Sequence, residues 1–320
     1  MDYAIETSGL SKHFGATVAF DNVDLQVEPG QLFGLLGPDG AGKTSLIRVL
    51  LDIYEKSGGV KRILGKENFD QVRDHVGYVP QRFSLYSDLT VWENIELFGS
   101  LYGANREQIR ELGDFVLEFT QLIQFKNRLA GNLSGGMKQK LALAAGLLHK
   151  PKILFMDEPT TGVDPVSRRQ FWQMLYRLRE QGMTIFVSTP YMDEAELCNK
   201  TGFMLAGRLI AQNTPVDMKK SFPYIMLETM TASRVAARLL AQTNWVKTVN
   251  VVGEKLRVAV QSEAEGKHLL AAELQANNLG FSDITRELVT MEDVFVYLAG
   301  LQNGATGVTT TKRDDDEQRS

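Results

Sequence analysis

Cysteine is nearly absent from this chain, and other markers of particular protein classes are missing too. Cys198 is the single cysteine of 320 residues, which excludes an intrachain disulfide and predicts a small buried side chain there. No apolar run approaches the roughly 18 residues that a membrane-spanning helix needs. The segment after Met1 has neither the basic nor the apolar stretch of a secretory signal. These absences predict a soluble cytoplasmic protein.

An excess of positive charge is also lacking. The chain has 35 Lys and Arg against 39 Asp and Glu, which gives a formal net charge of −4. Because surfaces that bind nucleic acid are usually basic, the balance argues against nucleic acid as the main partner. The length is sufficient for two domains, and we find no internal repeat.

The clearest motif present is a glycine-rich loop between a predicted buried strand over 31–36 and a predicted helix over 45–51. The N–H groups of such a loop surround an anion, and the helix dipole adds positive potential. An ordinary glycine turn would not explain why Lys and Thr follow the last glycine. The predicted binding residues for a nucleoside triphosphate are Gly37, Pro38, Asp39, Gly40, Ala41, Gly42, Lys43, Thr44 and Ser45.

Hydrophobic patterns predict an α/β core that carries two further subdomains. Residues 3–30 alternate apolar and polar side chains in short pieces, which predicts antiparallel strands. Residues 82–150 predict a mostly helical insertion, with one helix capped by Thr90 and another over 108–119. Strands alternate with helices over 152–188, which indicates a largely parallel sheet with its chemistry at the carboxyl ends of the strands. The loop at 37–44, the acids at 157–158 and Ser188-Thr189 all lie at such ends and can therefore converge.

The pattern changes after residue 220, where we place the end of the first domain (1–220). Residues 221–300 predict the order β-α-β-β-α-β followed by a helix capped by Thr290, which is a ferredoxin-like order. Residues 301–320 are polar and predict a disordered tail. The expected fold class is therefore α/β with a small α+β domain at the C-terminus.

Two carboxylates end the apolar strand predicted from residue 152. Asp157 is placed to hold Mg²⁺ opposite Thr44, directly or through water. Glu158 is one residue further along, where a carboxylate can orient or deprotonate an attacking water. Two acids that merely open a loop are the alternative.

A second helix start without bulky side chains occurs at Leu133-Ser134-Gly135-Gly136-Met137. A Ser cap and two glycines leave the first N–H groups of the helix accessible to an anion. One chain with two phosphate sites predicts that two chains share each nucleotide.

Taken together, residues 3–220 resemble the nucleotide-binding domain of ABC transporters, and residues 133–137 resemble its signature, with Met137 at a position that is usually Gln. The resemblance implies ATP and Mg²⁺ as ligands. It also implies that Gln81 contacts Mg²⁺ and the attacking water. Asp164 is expected to reach across a dimer. Phe14 is a candidate for stacking on adenine, and a core position is the alternative.

One position departs from the family. ABC domains usually have a histidine that hydrogen-bonds the γ-phosphate after the strand that ends near Ser188-Thr189, and this chain has Pro190. Proline has neither a side-chain donor nor an N–H. Two interpretations follow. Either Glu158 still supports slow hydrolysis, or the chain is a regulatory ATP-binding subunit that pairs with a second, complete nucleotide-binding domain.

The resemblance also implies partners. Integral-membrane permease subunits would be separate chains, a second nucleotide-binding domain would complete a homodimer or heterodimer, and the protein would lie peripherally on the inner face of the cell membrane. Residues 289–295 resemble C-terminal extensions of the drug- and polymer-exporting branch, which favours export. The alternative is a soluble ABC ATPase that acts on ribosomes or DNA. Such relatives carry two cassettes or a long coiled coil, and this sequence has neither.

Overall fold

The structure, a computed structural model, describes residues 3–303 and 307–309. The chain divides into two units, one up to Thr214 and one from Pro215. This division falls slightly before residue 220, the boundary predicted from the sequence. Among residues 3–303, no helix is long and apolar enough to cross a membrane.

The first unit contains two β-sheets and several α-helices. Its strands are β1 (Ile5–Phe14), β2 (Thr17–Val27), β3 (Leu32–Leu36), β4 (Gly58–Ile63), β5 (Val76–Val79), β6 (Ile153–Asp157), β7 (Thr184–Thr189), β8 (Lys200–Leu205) and β9 (Arg208–Asn213). Its α-helices are α1 (Lys43–Leu50), α2 (Val91–Leu101), α3 (Arg106–Phe119), α4 (Gly135–Leu147) and α5 (Pro165–Glu180).

The central sheet has the strand order β5-β6-β7-β3-β8-β9 and is parallel except for the antiparallel pair β8 and β9. Every residue of β3, β6 and β7 is buried. Alternate side chains of these strands enter two separate hydrophobic clusters, because successive residues of a strand point to opposite faces. The predicted parallel sheet is confirmed, and its register pairs Asp157 with Ser188 and Leu36 with Thr189.

The antiparallel strands predicted over 3–30 are confirmed as β1 and β2, and β4 joins the other side of β1. Burial alternates along β2 where the strand packs on the core, which matches a sheet with one covered face. This small sheet contacts α1 and thereby flanks the glycine-rich loop.

The helical block begins as the sequence predicts, with a reciprocal cap at Thr90. The Thr90 hydroxyl accepts from the Glu93 N–H, and the Glu93 carboxylate accepts from the Thr90 N–H. The next helix starts at Arg106 rather than at the predicted Gln108. Asn105 is the cap, and Gln108 is its reciprocal partner inside the first turn.

The buried side chain predicted for Cys198 is confirmed, since its thiol is 7% exposed. It lies against Gly34 of β3, where a Cβ would come within 2.7 Å of the Cys198 sulfur. Burial raises the pKa of this thiol, and the nearby Glu194 raises it further.

The second unit begins with a short helix and continues in the predicted order β-α-β-β-α-β. Its elements are α6 (Pro215–Lys220), β10 (Ile225–Met230), α7 (Ser233–Leu240), β11 (Thr248–Val252), β12 (Lys255–Val260), α8 (Glu263–Ala276), β13 (Thr285–Glu287), α9 (Met291–Asn303) and β14 (Gly307–Thr309). The sheet order is β13-β10-β12-β11-β14, antiparallel except for the parallel pair β11 and β14.

The predicted disordered tail over 301–320 is wrong at its beginning. Residues 301–303 complete α9, and residues 307–309 form β14. The polar composition of this segment did not indicate that it contains the last residues of α9, because the helix continues beyond its mainly apolar part. Residues 304–306 and 310–320 lie outside the described part of the chain.

Candidate functional site

The glycine-rich loop connects β3 directly to α1, as the motif requires. Gly42 occupies the cap position of α1 at φ 103°, a left-handed conformation that favours glycine. A Cβ at Gly42 would lie 2.4 Å from the Ala19 carbonyl oxygen, so the backbone approach also needs glycine. Within the described residues no side chain caps α1, so its first N–H groups are left without a side-chain acceptor.

Lys43 is the buried cation of this loop, with 3% of its surface exposed. Its ammonium donates to the carbonyl oxygens of Gly37 at 2.7 Å and Pro38 at 3.0 Å. It also lies 3.1 Å from a carboxylate oxygen of Glu158. A buried ammonium that contacts a buried carboxylate in this way is positioned to exchange that partner for another anion.

Asp157, the last residue of β6, is fully buried between two hydroxyls. Its Oδ1 accepts from Thr44 Oγ1 at 3.0 Å and from Ser188 Oγ at 2.7 Å. Its Oδ2 has no hydrogen-bond partner among the described residues. A buried carboxylate with one unsatisfied oxygen beside a threonine hydroxyl has the oxygen donors that Mg²⁺ prefers. Thr44 and Asp157 therefore fit a magnesium site.

Glu158 is held in a defined position at the edge of the sheet. Its φ is 48°, and its N–H donates to both the carbonyl and the hydroxyl oxygens of Ser188 at 3.1 Å. Its second carboxylate oxygen accepts from Gln81 Nε2 at 2.8 Å. The structure thus brings Lys43, Gln81 and Glu158 into direct contact, although they come from three separate segments.

These groups surround one cavity of about 350 Å³. Its floor is the glycine-rich loop from Asp39 to Ser45, and Gln81 and Glu158 form part of its wall. Residues 17–19 at the start of β2 complete the lining. Such a volume lies in the ordinary range for small-molecule sites.

The second glycine-containing helix start is located elsewhere, on the surface. Ser134 caps α4, and its hydroxyl accepts from the Met137 N–H at 3.3 Å. Ser134 and Gly135 are exposed, whereas Gly136 is buried where a Cβ would lie 2.7 Å from the Ser167 Cβ. Asp164 caps the neighbouring α5 through the N–H groups of Val166 and Ser167. Among the described residues, neither Ser134 nor Asp164 lines the cavity.

Phe14 is exposed at 44% and packs edge-on against Tyr54 with ring centroids 5.3 Å apart. The Lys12 ammonium lies 4.6 Å from the Phe14 centroid. Within the part of the chain described here, Phe14 does not line the cavity, although its pairing partner Thr17 does. A core position is excluded by its exposure.

Comparisons with known proteins agree with this geometry. The sequence profile of a family described as ABC transporter matches residues 20–161. The chain is 33% identical over 306 residues to the daunorubicin/doxorubicin resistance ATP-binding protein DrrA of Streptomyces peucetius, covering 93% of this chain and 92% of that protein. The chain belongs to the ABC transporter family.

Further similarities place this ABC chain among ATP-binding proteins. It is 36% identical over 310 residues to the probable multidrug ABC transporter ATP-binding protein YbhF of Escherichia coli K12, covering 93% of this chain. The chain spans 52% of the length of YbhF. A dimeric structure of the bacterial ABC transporter cassette MJ0796 matches 66% of this chain and 98% of its own, with 25% identity and a TM-score of 0.61.

A larger cavity of about 510 Å³ lies at the opposite end of the central sheet of this ABC chain. It is lined by residues that precede β3, β6 and β7, together with apolar side chains of α3 such as Phe115 and Phe119. The carboxyl ends of the parallel strands and the loop of Lys43 are not part of it. We therefore place the candidate site in the smaller cavity, which is lined by the loop of Lys43 and by Glu158.

Sequence reasoning missed one part of the site. Residues 17–19 line the cavity from the antiparallel sheet, and only the alternation of β1 and β2 around their turn could have pointed there. Ser188 contacts both Asp157 and the Glu158 N–H. This contact agrees with the sequence expectation that Ser188 lies at a strand end where it can meet the two acids.

Proposed function

We propose that this chain is the ATP-binding and ATP-hydrolysing subunit of a membrane exporter. The observation that carries the proposal is that Lys43, Thr44 and Glu158 line one cavity, with Asp157 hydrogen-bonded to Thr44 behind it. The names of DrrA and YbhF, a drug-resistance and a probable multidrug transport protein, support export. The absence of basic excess supports partners other than nucleic acid.

In this proposal the loop from Gly37 to Ser45 holds the phosphates through backbone N–H groups and the Lys43 ammonium. Thr44 and Asp157, with Gln81 nearby, would hold Mg²⁺. When bound, Mg²⁺ supplies positive charge against the phosphate oxygens. The unsatisfied Asp157 Oδ2 supports this assignment, because a buried carboxylate oxygen without a donor is costly unless a ligand uses it.

Glu158 is the proposed general base for the attacking water. In the structure its carboxylate is occupied by Lys43 on one oxygen and by Gln81 on the other. A phosphate that draws the Lys43 ammonium toward itself releases one Glu158 oxygen. That oxygen can then accept a proton from water, while Gln81 keeps the other oxygen oriented. Ligand binding and activation of the base are thus coupled through Lys43.

A second copy, or a related nucleotide-binding domain, would complete each site. Ser134, Gly135 and Asp164 are exposed and lie outside the cavity, which supports contact with a nucleotide held by another chain. The dimeric MJ0796 cassette supports the same arrangement. The helical block over 82–150 would transmit closure to separate permease subunits, with the protein peripheral on the inner membrane face.

The second unit is proposed to be a ferredoxin-like domain. Its first four paired strands follow the order β13-β10-β12-β11 with antiparallel pairing, and α7 and α8 connect them in the sequence order of that fold.

The test is steady-state ATP hydrolysis by the purified chain beside Glu158→Gln. We expect the variant to bind ATP and to lose about 10²-fold or more in turnover, because a general base contributes 10²–10⁴-fold. Binding is measured in parallel with a fluorescent ATP analogue. Equal turnover of the two proteins at a rate well above zero would refute the role of Glu158.

Pro190 supports a second candidate, a regulatory subunit paired with a complete nucleotide-binding domain. Near-zero turnover of both proteins with ATP still bound would favour it. We expect Pro190→His to raise turnover by about tenfold, roughly 1.4 kcal/mol of transition-state stabilisation, because histidine supplies a donor near the phosphates. Pro190→Ala is the control for relief of the proline constraint. A rate unchanged by Pro190→His would show that this position does not limit hydrolysis.

A further inference from the structure

Glu194 has no part in the site described above, yet its carboxylate is 1% exposed and fully engaged. It lies in a 3-10 helix over Met192–Leu197, just after β7. Its Oε1 accepts from Thr160 Oγ1 at 2.8 Å and from Trp172 Nε1 at 2.9 Å. Its Oε2 accepts from Thr189 Oγ1 at 2.5 Å. The two oxygens therefore serve different segments of the chain.

Two of the segments joined in this way follow neighbouring strands of the central sheet, β6 and β7. Thr160 follows Glu158 by two residues and lies in the loop that ends at Asp164. The turn is closed by hydrogen bonds from the Thr161 N–H to the Glu158 carbonyl and from the Val163 N–H to the Thr160 carbonyl. A displacement of Thr160 would therefore move the backbone on both sides of it.

Thr189 makes the second connection, next to the unusual proline. Its hydroxyl donates to Glu194 and accepts from the Tyr191 N–H at 3.1 Å, so it fixes the backbone on both sides of Pro190. Both Thr160 and Thr189 are almost fully buried, at 1% and 0% exposure. Buried hydroxyls that share one carboxylate hold their segments in a defined register.

The charge of Glu194 is balanced from α5. Arg168 Nε lies 3.2 Å from Glu194 Oε1, and the Arg168 guanidinium also contacts Asp193 and stacks on the Tyr191 ring. A buried carboxylate persists as a charge when it has a cationic partner and several donors. Glu194 meets both conditions, and the segments after β6, after β7 and in α5 meet at its side chain.

We propose that Glu194 is a positioning residue that holds the Glu158–Asp164 loop in register with the Thr189–Tyr191 segment and thereby sets the rate of ATP hydrolysis. The inference rests on the proposed function. Pro190 cannot donate a hydrogen bond to the phosphates. The position of the Glu158 carboxylate relative to the attacking water is therefore set by the backbone of its own loop, which Glu194 holds in register. Loss of the Glu194 contacts should lower turnover without changing the contacts of Lys43 with the phosphates.

The test compares Thr189→Val with Thr189→Ser. Valine removes the hydroxyl and leaves Glu194 Oε2 without that donor, whereas serine keeps the hydroxyl. We expect Thr189→Val to lower kcat about tenfold with KM and the affinity for a fluorescent ATP analogue within about twofold of the wild type. We expect Thr189→Ser to restore kcat to within about threefold of the wild type.

Thr120→Val is the matched control. Its hydroxyl is equally buried, donates to the Val116 carbonyl and lies in the helical block, away from Glu194. If the loss of a buried hydroxyl only weakened the fold, both valine variants would melt at a lower temperature. Both would then keep a kcat similar to that of the wild type. A tenfold loss of kcat in Thr120→Val as well would overturn the inference.

Amide hydrogen exchange provides a readout that does not depend on hydrolysis. We expect exchange in residues 159–164 to become about tenfold faster in Thr189→Val and to stay at the wild-type rate in Thr120→Val. If the wild type bound ATP without turnover, the hydrolytic function would fail while faster exchange would still support the register. Unchanged exchange and unchanged kcat in Thr189→Val would overturn the role of Glu194.

Discussion

Two buried aspartates, one in each unit, are placed in opposite electrostatic settings. Asp157 accepts two hydroxyl hydrogen bonds on one oxygen, and its other oxygen has no partner among the described residues. Asp293 accepts from Arg257 on both oxygens and from the Thr290 N–H and hydroxyl as well. Both side chains are almost completely buried, so burial does not distinguish them.

The number of partnered carboxylate oxygens distinguishes a candidate binding site from a structural contact. Asp293 ties the first turn of α9 to β12, and every donor that it needs is supplied by the chain itself. Asp157 has no cationic partner among the residues that the structure describes, and Thr44 donates to its Oδ1, not to the unpartnered Oδ2. A buried charge left half satisfied destabilises the fold, and such a cost is usually found where a ligand supplies the missing partner.

The largest expected effect is on the satisfied carboxylate. Asp293→Asn should lower the free energy of unfolding of the second unit by about 3 kcal/mol, because it leaves the buried Arg257 without its main counter-charge and turns an amide toward N–H donors. Urea denaturation followed by circular dichroism measures the change. The exposed Asp283→Asn serves as control and should change stability by less than about 0.5 kcal/mol. If Asp293→Asn lowered the free energy of unfolding no more than the control does, Asp293 would not be the structural contact that distinguishes it from Asp157.

The same substitution at the other aspartate should act in the opposite direction. Without Mg²⁺, Asp157→Asn is expected to raise the free energy of unfolding by about 1 kcal/mol, since a buried uncompensated charge is removed. Millimolar Mg²⁺ with ATP should then stabilise the wild type and fail to stabilise the variant. Thermal unfolding with and without MgATP measures both effects. Destabilisation of the apo variant would mean that Asp157 is a structural residue like Asp293.

The contrast also shows which features the sequence could predict. The glycine-rich loop and the caps at Thr90 and Thr290 depend on residues close together in the chain, so their spacing carries the information. The element order of the second unit followed from alternation and turn signals for the same reason.

Contacts between segments that are far apart in the sequence could not be predicted from local patterns. Glu194 meets donors from Thr160, Trp172 and Thr189, and Arg257 meets Asp293, so neither contact has a local pattern. Even a local feature misled where two readings overlapped. The apolar spacing predicts a helix from Gln108, whereas Asn105 caps this helix and its first residue is Arg106.

The smallest expected effect is a pH dependence in the second unit. Burial would raise the pKa of Glu228, but hydrogen bonds from Lys255 and Arg257 outweigh it and lower the pKa below the usual 4.5. A carboxylate with a depressed folded pKa stabilises the fold at neutral pH, and this contribution is lost as pH falls below 4.5 through the folded pKa.

Glu228→Gln tests this expectation. At neutral pH the variant should be less stable than the wild type by about 1 kcal/mol, the scale of a partly exposed ion pair. The difference should shrink as the pH is lowered below 4.5, because protonation removes the same charge from the wild type. Urea midpoints across this range measure it, with Glu265→Gln at an exposed position of α8 as control. A difference that stays constant with pH would show that the amide disturbs packing rather than charge, and Arg257 would then depend on Asp293 alone.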